Sequence, residues 1–483
     1  MTHHGHLFIG GTWQQPATDQ QFRVVSPHSE EVVATVAAAA PADIDKAVDA
    51  ARTAFDQGPW PQLDPAERIS AVRKLAELYS ARRKEMAQVI TSEMGAPISF
   101  SKFGQATLPV MLMNALATVA EGIDWEAQRP GFFGADLTVR KEPVGVVGAI
   151  VPWNMPQFLL VGKLAPALLA GCTIVVKPSP ETPLDALLLA EIVEEAGLPE
   201  GVVSILPGDG TAGAHLVAHP GVDKVSFTGS SAVGREVGAV AGRALKRVSL
   251  ELGGKSAAIV LDDADPAAVA AGVKVAGFMN SGQACVAQTR ILVPEARYDD
   301  YVDALAEMVS SVPTGDPSDP MTEIGPMVAQ RQQERIRGYI ETGTKEGARL
   351  VVGGAEQPDG LDRGWYVRPT LFADVDNRST IAREEIFGPV LSVIPYGSDE
   401  DAVRVANDSD YGLSGSVWTA EVERGLDVAR GVRTGTFGIN EPYSMDPFGP
   451  FGGVKASGLG RELGKEGVES YLDTKSISIS RAG

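Results

Sequence analysis

Two side chains far apart in the sequence have the chemistry of a nucleophile and a base. Cys285 ends the stretch Asn280-Ser-Gly-Gln-Ala-Cys285, whose small residues let a ligand approach the backbone closely. Glu251 ends an apolar stretch and precedes Leu-Gly-Gly-Lys255. A thiol can attack a carbonyl carbon, and a buried carboxyl group can act as a general base. Each residue also has a plain structural interpretation, which is a buried cysteine for Cys285 and a salt bridge to Lys255 for Glu251.

Further polar residues follow stretches that predict strands. Asn154 lies in Val151-Pro-Trp-Asn154, where it is either an ordinary turn residue or a donor to a developing oxyanion; losing such a donor costs roughly 3–4 kcal/mol in the barrier. Lys177 ends a predicted strand. The stretch Phe227-Thr-Gly-Ser-Ser-Ala-Val-Gly234 follows a strand and begins a helix, whose N-terminal amides could hold a pyrophosphate. By itself this glycine spacing is a weak signal.

Other chemistries lack the residues that they need. The chain has six histidines, and a hydrolytic triad would require His28, His215 or His219, none of which stands in a recognisable catalytic setting. The two cysteines, Cys172 and Cys285, give no C-x-x-C pair, so neither a zinc site nor a disulfide framework is expected. Cys172 leads directly into an apolar strand and is predicted to be structural.

Charge and hydropathy exclude further classes. The 483 residues include 42 Lys and Arg against 62 Asp and Glu, a net charge of −20, which argues against a nucleic-acid partner. The sequence predicts no membrane-spanning helix and no signal peptide. With only two cysteines, a reducing cytoplasm is the expected compartment.

The elements that would position these residues alternate between strands and helices. Residues 41–125 predict helices interrupted at Pro59, Pro61 and Gly95. From about residue 143, apolar strands alternate with helical stretches, which is typical of doubly wound parallel sheets. The predicted strands are Val146–Val151, Thr173–Val176, Val202–Leu206, Lys224–Phe227 and Ala257–Leu261, with others near 289–293, 389–396 and 413–419. Residues 470–481 alternate Ile with polar residues, the pattern of an edge strand that needs a covering partner.

Taken together and in order, these stretches resemble the aldehyde dehydrogenase superfamily, in its non-acylating, NAD(P)-dependent form, over almost the whole chain. The matching stretches are Pro152-Trp-Asn154, Lys177-Pro-Ser, Phe227-Thr-Gly-Ser230, Glu251-Leu-Gly-Gly-Lys-Ser256, Gly282-Gln-Ala-Cys285, Glu384-Glu-Ile-Phe-Gly-Pro389 and Pro450-Phe-Gly-Gly453.

The resemblance implies an α/β fold with two doubly wound parallel-sheet domains and a small β oligomerisation element. Residues 1–125 and 142–253 would form the Rossmann-like dinucleotide-binding domain, and residues 254–454 the catalytic domain. Residues 126–141 and 470–483 would form the oligomerisation element, with 455–469 returning to the cofactor domain. A homodimer or homotetramer is expected, and the pattern does not choose between them.

The resemblance also implies a mechanism. Cys285 would attack the aldehyde to give a thiohemiacetal, while Asn154 and the backbone N–H of Cys285 hold the oxyanion. Hydride loss to the nicotinamide would leave a thioester, and Glu251 would activate the water that hydrolyses it. No metal is expected. The residues implied at the cofactor are Ile150, Pro152, Trp153, Lys177, Ser179, Gly210, Phe227, Thr228, Gly229, Ser230, Gly234, Leu252, Glu385 and Phe387.

Three implied roles are specific: Lys177 binds the adenine ribose, Glu385 the nicotinamide ribose, and Phe387 packs at the nicotinamide end. One departure concerns the cofactor. Many NAD-preferring members carry Glu where this chain has Pro180, so NAD is the expected cofactor and NADP stays open.

A second departure concerns the aldehyde channel. Gly162 stands where a bulky aromatic residue is common, and Met155 and Leu159 are apolar. This predicts a roomy apolar channel for medium or large aldehydes. Two alternatives remain: a CoA-acylating semialdehyde dehydrogenase, which would usually lack Glu251, and a non-catalytic binding or structural member, which would have lost Cys285, Glu251 or Asn154.

Overall fold

The first sheet has eight strands and five of them are parallel, as continuous apolar stretches between helices favour. The computed structural model describes residues 4–133, 135–442 and 445–479. In spatial order the strands are Gly458–Leu459, Arg247–Glu251, Lys224–Thr228, Val146–Ile150, Thr173–Lys177, Val203–Ile205, Leu7–Ile9 and Thr12–Gln14.

The chain reverses its direction of travel across this sheet between two central strands. From Val146–Ile150 it proceeds outwards through two further strands, then crosses back to Lys224–Thr228 on the other side of the starting strand. Ligands in open α/β sheets bind beyond the carboxyl ends of the strands at such a switch point. The two segments that leave these ends are 151–155 and 229–230, and both carry predicted site residues.

The second sheet has seven strands, and all but the edge strand Arg349–Val352 run parallel. In spatial order they are Arg349–Val352, Thr370–Ala373, Val390–Tyr396, Gln288–Pro294, Ser256–Val260, Gly415–Trp418 and Gly438–Ile439. The fold is therefore α/β with a Rossmann-like sheet and a second doubly wound sheet, as predicted.

Two small antiparallel sheets complete the strands. One pairs Gln21–Val25 with Val32–Ala37. The other has three strands, Glu126–Pro130, Asp136–Pro143 and Leu472–Ile479, with Asp136–Pro143 in the middle. The hairpin and terminal strand expected from the sequence thus belong to one sheet; residues 480–483 lie outside the described part.

Helices pack on both faces of the two large sheets, and the predicted breaks at Pro59 and Gly95 fall between helices. The α-helices are Pro41–Gln57, Pro65–Met94, Ile98–Phe100, Leu108–Glu121, Pro156–Ala170, Leu184–Ala196, Gly210–Ala218, Ser231–Arg243, Pro266–Phe278, Tyr298–Ser311, Gln330–Lys345, Thr380–Arg383, Asp399–Asn407, Val422–Gly431 and Gly464–Glu469. Short 3₁₀ turns span Trp60–Gln62, Met279–Gly282, Glu295–Arg297 and Lys455–Ser457, and one π-helical turn spans Ser101–Gln105.

One helical stretch could span a membrane by length and composition, although the sequence predicted no such helix. Ile98–Glu121 is long and apolar enough to cross a bilayer by length and composition, and half of its most apolar window is buried inside the protein. Leu112, Leu116 and Ala120 on this stretch are fully buried in the largest core cluster. A single such helix is weak evidence for a membrane span, because core helices pass the same test.

Candidate active site

The loop before Cys285 is held in an unusual backbone conformation. Asn280, Ser281 and Gly282 all have positive φ, of 52°, 60° and 76°. A Cβ at Gly282 would lie 2.3 Å from the carbonyl oxygen of Gly388, so only glycine fits there. Positive φ at a non-glycine residue is costly and is found preferentially at functional sites. The loop therefore presents Cys285 in a fixed position at some cost in stability.

Cys285 keeps partial exposure whereas Cys172 is fully buried. Burial of its Sγ, followed by the nearby charges of Glu385 and Glu251, raises the pKa of Cys285 to about 12. The thiol is therefore protonated at neutral pH in this state and needs a base to become a nucleophile. Cys172 donates from Sγ to Tyr471 O at 3.5 Å, which is the predicted structural role.

Glu251 is a buried carboxyl group at the end of its strand, only 3% exposed. Among the described residues neither of its oxygens nor Lys255 Nζ has a hydrogen-bond partner, so the predicted alternative of a salt bridge between them is wrong. Burial, and then the charge of Glu462, raises the pKa of Glu251 well above its ordinary value. A carboxyl group so placed can exchange a proton near neutral pH.

Behind Glu251 lies a buried ion pair that sequence reasoning missed. Lys163 Nζ contacts Glu462 Oε1, and both side chains are almost fully buried. Ser226 Oγ donates to the same carboxylate oxygen at 3.3 Å. Charges from Lys163 and Glu462 act on Glu251 in opposite directions. A lone Lys and a lone Glu separated by 299 positions give no local signal of this pairing.

Asn154 is buried in the loop that leaves the strand Val146–Ile150 and is 3% exposed. Its Nδ2 donates to the backbone carbonyl of Gln283 at 3.0 Å, which ties this loop to the loop of Cys285. An amide nitrogen carries two hydrogens, so a second donor remains for another acceptor. Asn154 is thus not an ordinary exposed turn residue.

A cleft of about 300 Å³ brings most of the predicted site residues together, and we call it the polar cleft. It lies at the switch point of the first sheet. Its lining residues are Pro152, Trp153, Asn154, Thr228, Gly229, Ser230, Leu252, Gly253, Cys285, Gln332, Arg335, Glu385 and Phe387. Glu251 is not among them; it lies behind Cys285, close enough for its charge to raise the pKa of the thiol.

Glu385 and Phe387 form one part of the lining of the polar cleft. The Glu385 carboxylate accepts from Gly254 N at 2.9 Å, and burial raises its pKa to about 7. Phe387, with φ of 63°, meets Trp153 edge to face at 5.4 Å between centroids. Arg335, which the sequence did not single out, donates to Ile386 O at 2.7 Å and fixes this segment.

The remaining predicted cofactor residues lie around the cleft rather than in its lining. Lys177 Nζ donates to Gly208 O at 2.7 Å, and burial lowers its pKa to about 8. A Cβ on Gly213 would be 3.5 Å from the Lys177 side chain and 3.6 Å from Ile150 Cδ1, so these residues cluster together. Gly210, exposed to solvent, begins the adjoining helix.

Phe227 and Gly234, two further residues predicted at the cofactor, take part in close packing, and a third, Ser179, makes a polar contact. The Phe227 ring would be 2.5 Å from a Cβ on Gly229, and Leu252 would be 2.4 Å from a Cβ on Gly234. Glycine at these two positions therefore brings the helix start close to the strand ends. Ser179 Oγ donates to Glu181, whose other oxygen accepts from Arg331.

On the other side of Asn154 lies a second space of about 480 Å³, which we call the apolar cavity. Its lining residues are Pro97, Ser99, Phe100, Phe103, Gly104, Leu108, Met155, Lys274, Val275, Phe278, Met279, Asn280 and Glu323. Met155 was predicted here, but Leu159 and Gly162 do not line the cavity. A Cβ on Gly162 would instead be 3.9 Å from Glu462 Oε2.

The fold and the site together define an α/β protein with a thiol at the switch-point cleft, a buried carboxyl group behind it and an apolar cavity beside it. The family model for the aldehyde dehydrogenase family matches residues 13–477. Geranial dehydrogenase of Castellaniella defragrans is 48% identical over 476 residues, covering 99% of both chains.

Two solved structures agree in fold. A Mycobacterium tuberculosis aldehyde dehydrogenase complexed with NAD⁺ has a TM-score of 0.96 and 51% identity, covering 98% of each chain. A mutant of aldehyde dehydrogenase C from Pseudomonas syringae, in complex with NAD⁺ and octanal, has a TM-score of 0.95 and 41% identity, covering 98% of this chain and 96% of that chain. This chain belongs to the aldehyde dehydrogenase family and is an oxidoreductase that acts on the aldehyde group.

Proposed function

We propose that this protein oxidises apolar aldehydes to carboxylic acids, with Cys285 as nucleophile, Glu251 as general base and Asn154 as oxyanion donor. The observation that carries this proposal is the unpaired, buried carboxyl group of Glu251 behind a thiol that lines the polar cleft. Burial raises the pKa of both groups, so each holds its proton more tightly than it would in water. A structural carboxyl group would have been paired.

The proposed residues act one after another in the reaction. Cys285 gives its proton to solvent water, and its Sγ bonds to the carbonyl carbon while the π electrons of the carbonyl group move to oxygen, where the second N–H of Asn154 stabilises the negative charge. NAD, when bound, would supply the acceptor for the hydride that leaves this carbon, and loss of that hydride leaves a thioester of Cys285. Glu251 then takes a proton from water, which attacks the thioester carbon and releases the acid, and the Cys285 sulfur is the leaving group. Burial, and then the charge of Glu462, raises the pKa of Glu251.

The polar cleft fits a dinucleotide. Thr228 Oγ1 is buried and without a partner among the described residues, and the close-packed Gly229 leaves the amides at the following helix start free to approach a phosphate. We propose that Glu385 holds the nicotinamide ribose and Lys177 the adenine ribose. NAD is the proposed preference because Glu181, at the position after Pro180, supplies a negative charge beside Ser179 that would repel a 2′-phosphate.

The proposed substrates are aldehydes with an apolar tail of about eight to ten carbons. The apolar cavity has the volume and lining for such a tail, because pockets of this size are typically lined by aromatic and aliphatic side chains. Two similar proteins have names that point the same way: geranial dehydrogenase, and the complex with octanal.

We further propose the domain division predicted from the sequence, a cytoplasmic location and a homo-oligomer. The three-stranded sheet carries exposed apolar side chains, with Phe132 and Phe133 each 95% exposed and Ile479 52% exposed. Such surface is commonly covered by a partner subunit. Light scattering after size exclusion should show a mass that is a multiple of 50.7 kDa.

The test of the base is Glu251→Gln. We expect a first burst of NADH at near wild-type rate, because attack and hydride loss need no activated water, and then steady turnover lowered by about 10²-fold or more. In the wild type, turnover should fall as the pH drops through the raised pKa of Glu251, because only the ionised carboxylate accepts a proton.

The matched control is Glu93→Gln, which changes another fully buried glutamate with a raised pKa; Glu93 lies in helix Pro65–Met94 and accepts from the backbone N–H groups of Leu184 and Asp185. It should keep wild-type turnover. If Glu251→Gln keeps steady turnover near the wild type, the assignment of the base is wrong. Turnover restored by CoA would favour the acylating alternative.

A further inference from the structure

The backbone carbonyl of Asn154 accepts hydrogen bonds from two buried side-chain amides. Gln105 Nε2 donates to this oxygen at 2.9 Å, and Asn280 Nδ2 donates to it at 2.7 Å. Gln105 is fully buried and Asn280 is 2% exposed. Because a carbonyl oxygen has two lone pairs, these two donors satisfy it without solvent. The peptide that carries the proposed oxyanion donor is therefore fixed from the protein interior.

These bonds matter because two residues of the Asn154 loop cannot donate from their backbone. The flanking residues Pro152 and Pro156 have no N–H to donate. Asn280 also donates to Gln283 O at 3.3 Å, the same carbonyl that accepts from Asn154 Nδ2. The loops of Asn154 and Cys285 are thus joined by a closed set of amide hydrogen bonds, and Gln105 is the member from outside both loops.

Gln105 reaches this position because it ends the π-helical turn Ser101–Gln105. Single π turns occur preferentially at functional sites, since the wider turn redirects a side chain. Phe103 and Gly104 of the same turn line the apolar cavity, and the next residue along the chain holds Asn154. The π turn therefore connects the wall of the cavity to the peptide of the oxyanion donor.

We propose that Gln105 is a positioning residue for aldehyde oxidation, which holds the Asn154 amide where the oxyanion develops; this rests on the role proposed above for Asn154. A donor works only if it is held within about 0.5 Å of its productive position. With Gln105, the backbone of Asn154 is fixed by two amides and its side chain by Gln283 O. Without Gln105, one lone pair of the buried carbonyl loses its partner, and Asn280 alone holds this oxygen, so the peptide is fixed less closely.

The experiment is a double-mutant cycle with Gln105→Met and Asn154→Ala, with steady-state kinetics on an aliphatic aldehyde. Methionine keeps the length of the side chain and removes the donor. Gln105→Met should lower kcat by about 10-fold and change the KM for aldehyde by less than about 3-fold, because positioning acts on the transition state. Asn154→Ala should lower kcat by roughly 10²–10³-fold.

The decisive comparison is the double variant. In the Asn154→Ala background, Gln105→Met should lower kcat less than about 2-fold further, since no side-chain amide is left to position. An equal loss in both backgrounds would show that Gln105 acts by another route, and would overturn the inference. If Asn154→Ala alone leaves kcat unchanged, the proposed role of Asn154 fails instead.

Two further variants separate positioning from stability. Gln157→Met removes another fully buried glutamine amide, which donates to Asp185 of helix Leu184–Ala196, and should lower the melting temperature but not kcat. Gln105→Glu keeps the shape of the side chain. Its protonated carboxyl can still donate to Asn154 O, so its kcat relative to the wild type should decline as the pH rises; a constant ratio would contradict the inference.

Discussion

The polar cleft is lined by Asn154 and the apolar cavity by the next residue, Met155, but the two spaces are built in different ways. The cleft is lined by residues that leave the carboxyl ends of strands, including Pro152, Thr228 and Leu252. The cavity is lined by helices and turns from separate parts of the chain, at 97–108, 155, 274–280 and 323. A sheet edge forms wherever parallel strands end, whereas the cavity depends on how helices pack. We expect the polar cleft to serve the oxidation chemistry that aldehyde dehydrogenases share, and the apolar cavity to select the substrate.

The largest expected effect is at Cys285, the proposed nucleophile in the polar cleft. Cys285→Ala should lower kcat by roughly 10⁴-fold or more, because Cys285 carries the only thiol among the described residues that line the cleft, and the hydroxyls of Thr228 and Ser230 are weaker nucleophiles. NAD binding, measured by fluorescence quenching, should persist. Cys172→Ala is the control: it should keep kcat and lower stability by about 1–2 kcal/mol for the buried sulfur that is lost. Activity that depends on Cys172 would contradict the distinction between the two cysteines.

A smaller and more selective effect is expected in the apolar cavity. Leu108→Trp should lower kcat/KM for a ten-carbon aldehyde by about 10-fold and change that for propanal by less than about 3-fold, because the indole occupies the space for the tail. Met111→Trp on the same helix is the matched control, since Met111 is half exposed and does not line the cavity. Equal losses on both aldehydes would show that the cavity does not select for size.

The smallest effect is expected at the adenine end of the cleft. Glu181→Gln removes the negative charge beside Ser179 and leaves the exposed Arg331 without its ion pair. The ratio of kcat/KM with NADP to that with NAD should rise about 5- to 10-fold, mainly through KM for the dinucleotide. Glu195→Gln, a surface glutamate outside this group, should leave the ratio unchanged. A ratio unaffected by Glu181→Gln would place cofactor preference elsewhere.

The contrast between a sheet edge and the packing of helices also explains which features could be predicted from the sequence. Strands such as Thr173–Lys177 and Lys224–Thr228 were predicted within about one residue, because buried strands in a parallel sheet are continuous apolar stretches. Glu251 and Asn154 stood out because each is a polar residue at or after the end of such a stretch, and Cys285 stood out because it ends a stretch of small residues. The alternative of a salt bridge from Glu251 to Lys255 was wrong, because the direction of each buried side chain depends on the tertiary structure. The location of Gly162 in the aldehyde channel stays a prediction.

By itself, the sequence determined the alternation of strands and helices, and with it the polar residues that the strand ends carry to one edge. The tertiary structure alone decided which distant groups meet: Lys163 with Glu462, Gln105 with Asn154, and the helices that enclose the apolar cavity. The physical reason is the distance along the chain over which each kind of interaction acts. Hydrophobic periodicity and turn chemistry act over a few residues, whereas a buried ion pair or amide network joins groups whose partners no local pattern identifies.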